Sequence, residues 1–162
     1  MALKDSRYSL EAEQAVVGSL LVAGSKGDME TIRGLLSLVQ EEDLLNQVDK
    51  AIFQAARTLF RSGGAVDPFT IRDRIGSEYS DYLVQLMDIT PTTANWPEWA
   101  QAAHEQAAVQ RARALAEPLS LAVTLEDCRP VSAQLGQLLS DGRRLNTWNV
   151  SQLLDSFFES QD

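Results

Sequence analysis

The chain has 162 residues, of which 44% are hydrophobic, enough for one compact domain with its own core. Its 14 basic and 23 acidic residues give a net charge of −9, which disfavours general binding to a phosphate backbone and makes proteins the expected partners. Cys128 is the only cysteine, which excludes an intramolecular disulfide and a thiolate-based metal site and favours a reducing cytoplasm. No apolar leader or membrane-length apolar run is found, so neither export nor membrane insertion is expected.

Apolar residues recur three or four positions apart along most of the chain, and no segment alternates for long enough to predict a strand. The sequence therefore predicts an all-α fold. A first helix should start after Ser9 and end within residues 23–27, a second should start at about Asp28, and a third should end at Gly63-Gly64. Their apolar stripes are Leu10, Val17, Leu20 and Leu21; Met29, Ile32, Leu36 and Val39; and Val48, Ile52, Ala55 and Leu59.

Prolines mark helix boundaries in the rest of the chain. Asp67 followed by Pro68 predicts an N-cap and a first helical residue, so a short fourth helix should start there, and a fifth is expected around residues 80–87. A long helix should then begin at Trp96. Pro118 should bend or end it near Ala116, because proline lacks the backbone N–H that an inner turn requires.

Residues 130–139 have helical spacing and are expected to fold back on the long helix as a hairpin. Trp96 and Trp99 share one helical face; core packing is the preferred interpretation, and stacking on single-stranded nucleic acid is kept as an alternative. A final amphipathic helix follows a linker, and it fits packing on its own domain and docking on a neighbour equally well. The predicted interaction residues are Trp96, Trp99, Val131, Leu135, Leu138 and Leu139 in the hairpin, and Val150, Leu153, Leu154, Phe157 and Phe158 in the terminal helix.

The sequence offers little support for enzyme chemistry. Residues 24–27 have neither the spacing nor the preceding strand of a phosphate-binding loop. His104, the only histidine, is expected to be a surface or hydrogen-bonded helix residue, and Cys128 is interpreted as structural or incidental. The acids Glu41 to Asp43 are expected to form a solvated helix end. No catalytic, cofactor-binding or metal site is predicted.

Residues 9–21, SLEAEQAVVGSLL, resemble the opening helix of the N-terminal domain of the bacterial replicative DNA helicase of the DnaB family, which favours Glu-Ala-Glu-Gln and then Leu-Gly. Two departures from the family pattern are present. Leu44 and Leu45 stand where the family usually has an aromatic residue after the acid, and Asp49 replaces the usual histidine before Ile-Phe. The further matches, in order, are Ala51-Ile52-Phe53 before Leu59, Gly64-Ala65-Val66-Asp67 before Thr70, Tyr82-Leu83 with Leu86, Thr90-Pro91, Asn95 and Arg111.

The resemblance implies a domain that packs as dimers through a helical hairpin, builds the collar of a hexameric ring, and contacts primase and helicase loaders. Residues 1–94 would form a small orthogonal helical bundle, 95–142 the pairing hairpin, and 143–162 a linker and a helix that docks on an adjacent motor. The RecA-like motor and its Walker motifs are absent from the sequence. ATP hydrolysis and unwinding are therefore not assigned to this chain, and no cofactor is expected.

Two hypotheses for function follow from the sequence. The first is a cytoplasmic, non-catalytic oligomerisation and interaction domain of a replicative DNA helicase. Its partners would be a second copy of itself, the helicase, primase and a helicase loader, with no membrane or direct nucleic-acid contact. The alternative is a free-standing regulator from a phage or mobile element, which mimics the collar and binds or inhibits the host helicase.

Overall fold

The computed structural model describes the backbone of residues 2–140 and the side chains of residues 11–140, and this part of the chain contains helices and turns but no strand. The predicted all-α fold is confirmed. The predicted terminal-helix residues Val150, Leu153, Leu154, Phe157 and Phe158 lie outside the described residues. The helices are α1 (Ala2–Lys26), α2 (Met29–Leu38), α3 (Gln47–Arg61), α4 (Pro68–Ile75), α5 (Ser80–Asp88), α6 (Trp96–Ala114), α7 (Ala116–Ser120) and α8 (125–140).

The first helix is the centre of the core. It packs against α2, α3, α4 and α5. It begins at Ala2, so Ser9 lies inside the helix and the prediction of a start after Ser9 was wrong. The residues before Ser9 include Ala2 and Leu3, which are good helix formers and give the helix no reason to stop. The fully buried side chains around α1 include Val16, Val17, Leu20, Leu21, Ile32, Leu35, Ile52 and Phe53.

Side-chain caps fix the starts of the next three helices. Asp28, Asn46 and Asp67 each accept hydrogen bonds from backbone N–H groups in the first turn of α2, α3 and α4. Pro68 is the first residue of α4, as the sequence predicted. A short 3-10 turn, Glu41–Asp43, lies between α2 and α3, and another, Ser77–Tyr79, lies between α4 and α5.

The long helix is interrupted close to the predicted position. The interruption falls at Leu115, between α6 and α7, because Pro118 in the following turn cannot donate a backbone hydrogen bond. The next helix, α8, begins at 125, earlier than the predicted 130. The reason is a reciprocal cap: the hydroxyl of Thr124 accepts from the N–H of Asp127 at 3.3 Å, and the Asp127 carboxylate accepts from the N–H of Thr124 at 3.1 Å.

The chain divides between His104 and Glu105 into two compact units. The globular unit comprises residues up to His104, and the hairpin unit begins at Glu105 and is described up to residue 140. Among the described residues, no helix has the length and apolar character needed to cross a membrane.

Candidate protein-interaction surface

Within the hairpin unit, α8 lies beside the second half of α6. Side chains from both helices line one cleft of about 390 Å³, and α7 and residues 121–124 connect the two helices. The cleft places the two helices side by side as a hairpin. Its lining residues are Arg111 and Ala114 of α6, Leu115 directly after α6, and Gln134, Gln137 and Leu138 of α8.

The four predicted α8 residues have different environments. Val131 is 9% exposed, and Leu138 is half-buried and lines the cleft between α8 and α6. Leu135 is 40% and Leu139 60% exposed. Because residues four apart lie on the same face of a helix, Leu135 and Leu139 form one exposed apolar face of α8.

The turn of the hairpin has an apolar cluster that the sequence analysis missed. The cluster, called the tip here, consists of Leu119, Leu121, Val123 and Leu125, which are 50%, 71%, 90% and 85% exposed. A concentration of exposed apolar side chains is typical of a protein-binding site. The available signal was the apolar residue at every second position from 119 to 125, a spacing that no helical stripe explains.

The predicted tryptophans belong to the globular unit. The indole of Trp96 packs against Gly34 of α2, where a Cβ atom would lie 2.6 Å from the ring. The preferred interpretation of core packing is confirmed for Trp96. Trp99 is half-buried.

The globular unit has an apolar surface of its own, a groove of about 450 Å³ between the end of α1, α4 and α5. Phe69 and Val84 stand at this groove and are 68% and 57% exposed. Leu83 and Met87 are further lining residues. Arg72 lies over the Phe69 ring, with its guanidinium carbon 5.5 Å from the ring centroid. The groove therefore combines an apolar lining with one cation.

The prediction that Glu41 to Asp43 form a solvated helix end is wrong for Asp43, whereas Glu42 is exposed as predicted. Asp43 is 3% exposed, and one of its carboxylate oxygens accepts from the backbone N–H of Gln40 at 2.9 Å. The other oxygen lies 2.7 Å from Nδ1 of His104. His104 is therefore a hydrogen-bonded helix residue that ties the first part of α6 to the turn before α3.

A second polar cluster is buried where three helices meet. Glu13 of α1 is 2% exposed and Asp49 of α3 is fully buried. The hydroxyl of Tyr82, on α5, donates to Oδ1 of Asp49 at 2.6 Å. Burial raises the pKa of Glu13 to about 7, and it also raises the pKa of Asp49 and of Tyr82. The sequence analysis gave no indication of this cluster.

Neither cluster has the composition of a metal centre. Among residues 11–140, no group of three or more His, Cys, Asp or Glu side chains is arranged to hold a metal ion. The thiol of Cys128 donates to the carbonyl oxygen of Thr124 at 3.6 Å, which is a local helix contact.

Comparison with known proteins identifies the fold. The family model described as "DnaB-like helicase N terminal domain" matches residues 5–105, more than half of the chain. The chain belongs to this family. The N-terminal domain of DnaB helicase from Mycobacterium tuberculosis matches with a TM-score of 0.63 and 22% sequence identity, over 79% of this chain and 96% of that one. No curated protein matches the sequence.

Family membership confirms the resemblance drawn from residues 9–21. In DnaB helicases the N-terminal domain is non-catalytic, and the ATPase motor lies elsewhere. The DnaB match ends at residue 105, close to the end of the globular unit at His104. The structural match covers 79% of the chain, so it extends beyond the globular unit, which ends at His104.

Proposed function

We propose that the chain is the oligomerisation and docking domain of a replicative DNA helicase, and that its hairpin unit pairs with the hairpin unit of a second copy. The observation that carries this proposal is the concentration of exposed apolar residues at the tip and on the Leu135 and Leu139 face of α8. The resemblance to the DnaB family, in which this domain packs as dimers through a helical hairpin, supports the same surface.

The hydrophobic effect is large enough to drive such pairing. Fully burying one Leu or Val side chain is worth about 1.5–3 kcal/mol, so burying the tips of two copies contributes on the order of 10–20 kcal/mol. Association costs about 4–15 kcal/mol in lost translational and rotational freedom. The burial contribution exceeds the association cost over most of these two ranges, and burial of the exposed face of α8 adds to it.

Dimers of this kind would build the collar of a helicase ring and leave the globular unit to contact primase or a helicase loader. The groove beside Phe69 and Val84 has the apolar lining that a docking helix needs. The net charge of −9 favours a partner with a basic surface, because complementary charge speeds association.

Aspartate substitutions at matched exposed positions test this division of roles. We expect Leu121→Asp to lower the native mass of the full chain in light scattering without loss of helicity in circular dichroism, because it places charge at the tip. Val84→Asp is the matched control: it is also exposed, lies on the globular unit, and should leave the mass unchanged while weakening capture of the host's primase.

The outcomes separate the candidate functions. An unchanged mass for Leu121→Asp would overturn the assignment of the tip as the pairing surface. A chain that stays monomeric and dissociates the host's replicative helicase would favour the collar-mimicking regulator.

A further inference from the structure

Two buried carboxyl groups and one phenol join three helices of the globular unit. Asp49 Oδ1 accepts from the Tyr82 hydroxyl at 2.6 Å. Glu13 Oε1 accepts from the backbone N–H of Asn46, the N-cap of α3, at 2.8 Å. Glu13 and Asp49 are 2% and 0% exposed, so water does not solvate either carboxyl. The cluster thus connects α1, α3 and α5 at one point.

One carboxylate oxygen of this cluster lacks a donor. Asp49 Oδ2 is buried and has no donor among the described side chains and backbone groups. Asn46 links the two acidic residues, because its backbone N–H donates to Glu13 Oε1 and its side-chain oxygen accepts from the backbone N–H of Asp49 at 3.2 Å, and each carboxyl affects the pKa of the other. Ionised carboxylates only accept hydrogen bonds, so these two can bond to each other only when one of them is protonated.

We propose that Glu13 and Asp49 share a single proton and form, with Tyr82, a pH-sensitive lock that holds α1, α3 and α5 together and weakens when that proton is lost. Loss of the proton leaves two negative charges side by side in a site without water. Their repulsion acts directly across the contact between α1 and α3. Raising the pH therefore weakens the packing at the centre of the globular unit.

The charged and polar surroundings support this arrangement. Burial is the main cause that raises the pKa of Glu13 from its ordinary 4.5 to about 7, and the nearby charge of Asp49 raises it further. Burial also raises the pKa of Asp49, whereas the hydrogen bond from Tyr82 lowers it. The hydrogen bond from the Tyr82 hydroxyl favours the charged form of Asp49, which leaves the shared proton on the Glu13 side. None of the leading contributions to either shift comes from a charged side chain of α2 or α4.

The direction of the pH effect follows from the sign of the shift. A carboxyl whose pKa is raised by folding contributes stability that is fully present below its unfolded pKa and is lost as pH rises through its folded pKa. For Glu13 this window runs from 4.5 to about 7. The difference corresponds to an increase of up to about 300-fold in the unfolding equilibrium constant.

Urea unfolding of the full chain, followed by circular dichroism from about pH 5 to about pH 8.5, tests the lock. The unmodified chain should lose stability across this range. Asp49→Asn should reduce the loss, because it removes the charge of Asp49, its amide can donate to the Glu13 carboxylate and its oxygen can accept from Tyr82, whereas the part of the loss that comes from burial of Glu13 remains. Asp81→Asn is the matched control on α5, an exposed carboxyl that should leave the pH profile unchanged.

Equal pH profiles for the unmodified chain and Asp49→Asn would overturn the proposal. If Asp49→Asn does not fold, the pH dependence of the NMR chemical shift of the Glu13 carboxyl carbon, measured in the unmodified chain, tests the proposal. A midpoint near 7 at which the carboxyl carbon of Asp49 also shifts supports the shared proton, and a midpoint near the ordinary 4.5, or no response at Asp49, refutes it.

Discussion

Replacing Gly18 by alanine should destabilise the globular unit, because Gly18 of α1 lies directly against the end of α5 and the residue Thr90 that follows it. A Cβ atom there would overlap the hydroxyl of Thr90 and lie 2.7 Å from the carbonyl oxygen of Leu86. Thr90 cannot simply turn away, since it is buried and its hydroxyl donates to that same carbonyl at 2.8 Å. Overpacking a core costs about 1–3 kcal/mol. Loss of the Thr90 hydrogen bond would add about 1–3 kcal/mol.

The same substitution increases the intrinsic helix propensity of α1. Alanine is better than glycine inside a helix by about 1 kcal/mol, which offsets part of the cost. The expected net loss for Gly18→Ala is therefore about 1–5 kcal/mol. For a chain of this size each kilocalorie lowers the melting temperature by about 2–4 °C.

The matched control is Gly136→Ala in α8, where a Cβ atom meets nothing within 4 Å. This variant shows the effect of helix propensity alone, so its stability should be unchanged or higher by up to about 1 kcal/mol. Both free energies of unfolding are measured by urea titration. A Gly18→Ala chain as stable as the unmodified one would refute the close contact between α1 and α5.

Three further substitutions test the hairpin and the hydrogen bond between Asp43 and His104. Leu135→Asp should lower the native mass with little loss of helicity, because Leu135 is on the exposed face of α8. Leu138→Asp should also destabilise the hairpin unit, because Leu138 lines the cleft between its helices. An unchanged native mass in both variants would contradict the pairing assignment. His104→Ala should lower the free energy of unfolding by about 1–3 kcal/mol, since it leaves an oxygen of the buried Asp43 carboxylate without its donor. A His104→Ala chain with unchanged urea stability would show that the Asp43 contact contributes nothing.

Local sequence signals predicted local structure well. The all-α class, the start of α4 at Asp67 and Pro68, and the break close to Pro118 all follow from periodicity or from the backbone chemistry of one or two residues. The start of α8 was also within reach of the sequence, because the Thr124 and Asp127 pair forms a local cap that the analysis overlooked.

Contacts between distant residues could not be predicted in this way. Asp43 and His104 are 61 positions apart, and Asp49 and Tyr82 are 33 positions apart. Their side chains meet only because several helices pack around α1. An acid in a charged run such as 41–43 carries no local mark of burial, so the sequence favoured the solvated interpretation.

The tip shows a different limit. Its apolar residues are present in the sequence, but helical periodicity does not reveal them, because residues 119–125 do not follow one helical face. Their exposure becomes apparent only when the hairpin turn places them at the end of two helices. The surface that best supports self-association was therefore found from the structure.

The most direct test of the account is the native mass of the unmodified chain, measured by light scattering over a range of concentrations. If the hairpin unit is a pairing surface, the mass should be at least twice the 17.9 kDa of one copy at high concentration and should fall on dilution. A mass of 17.9 kDa at every concentration would contradict the central claim.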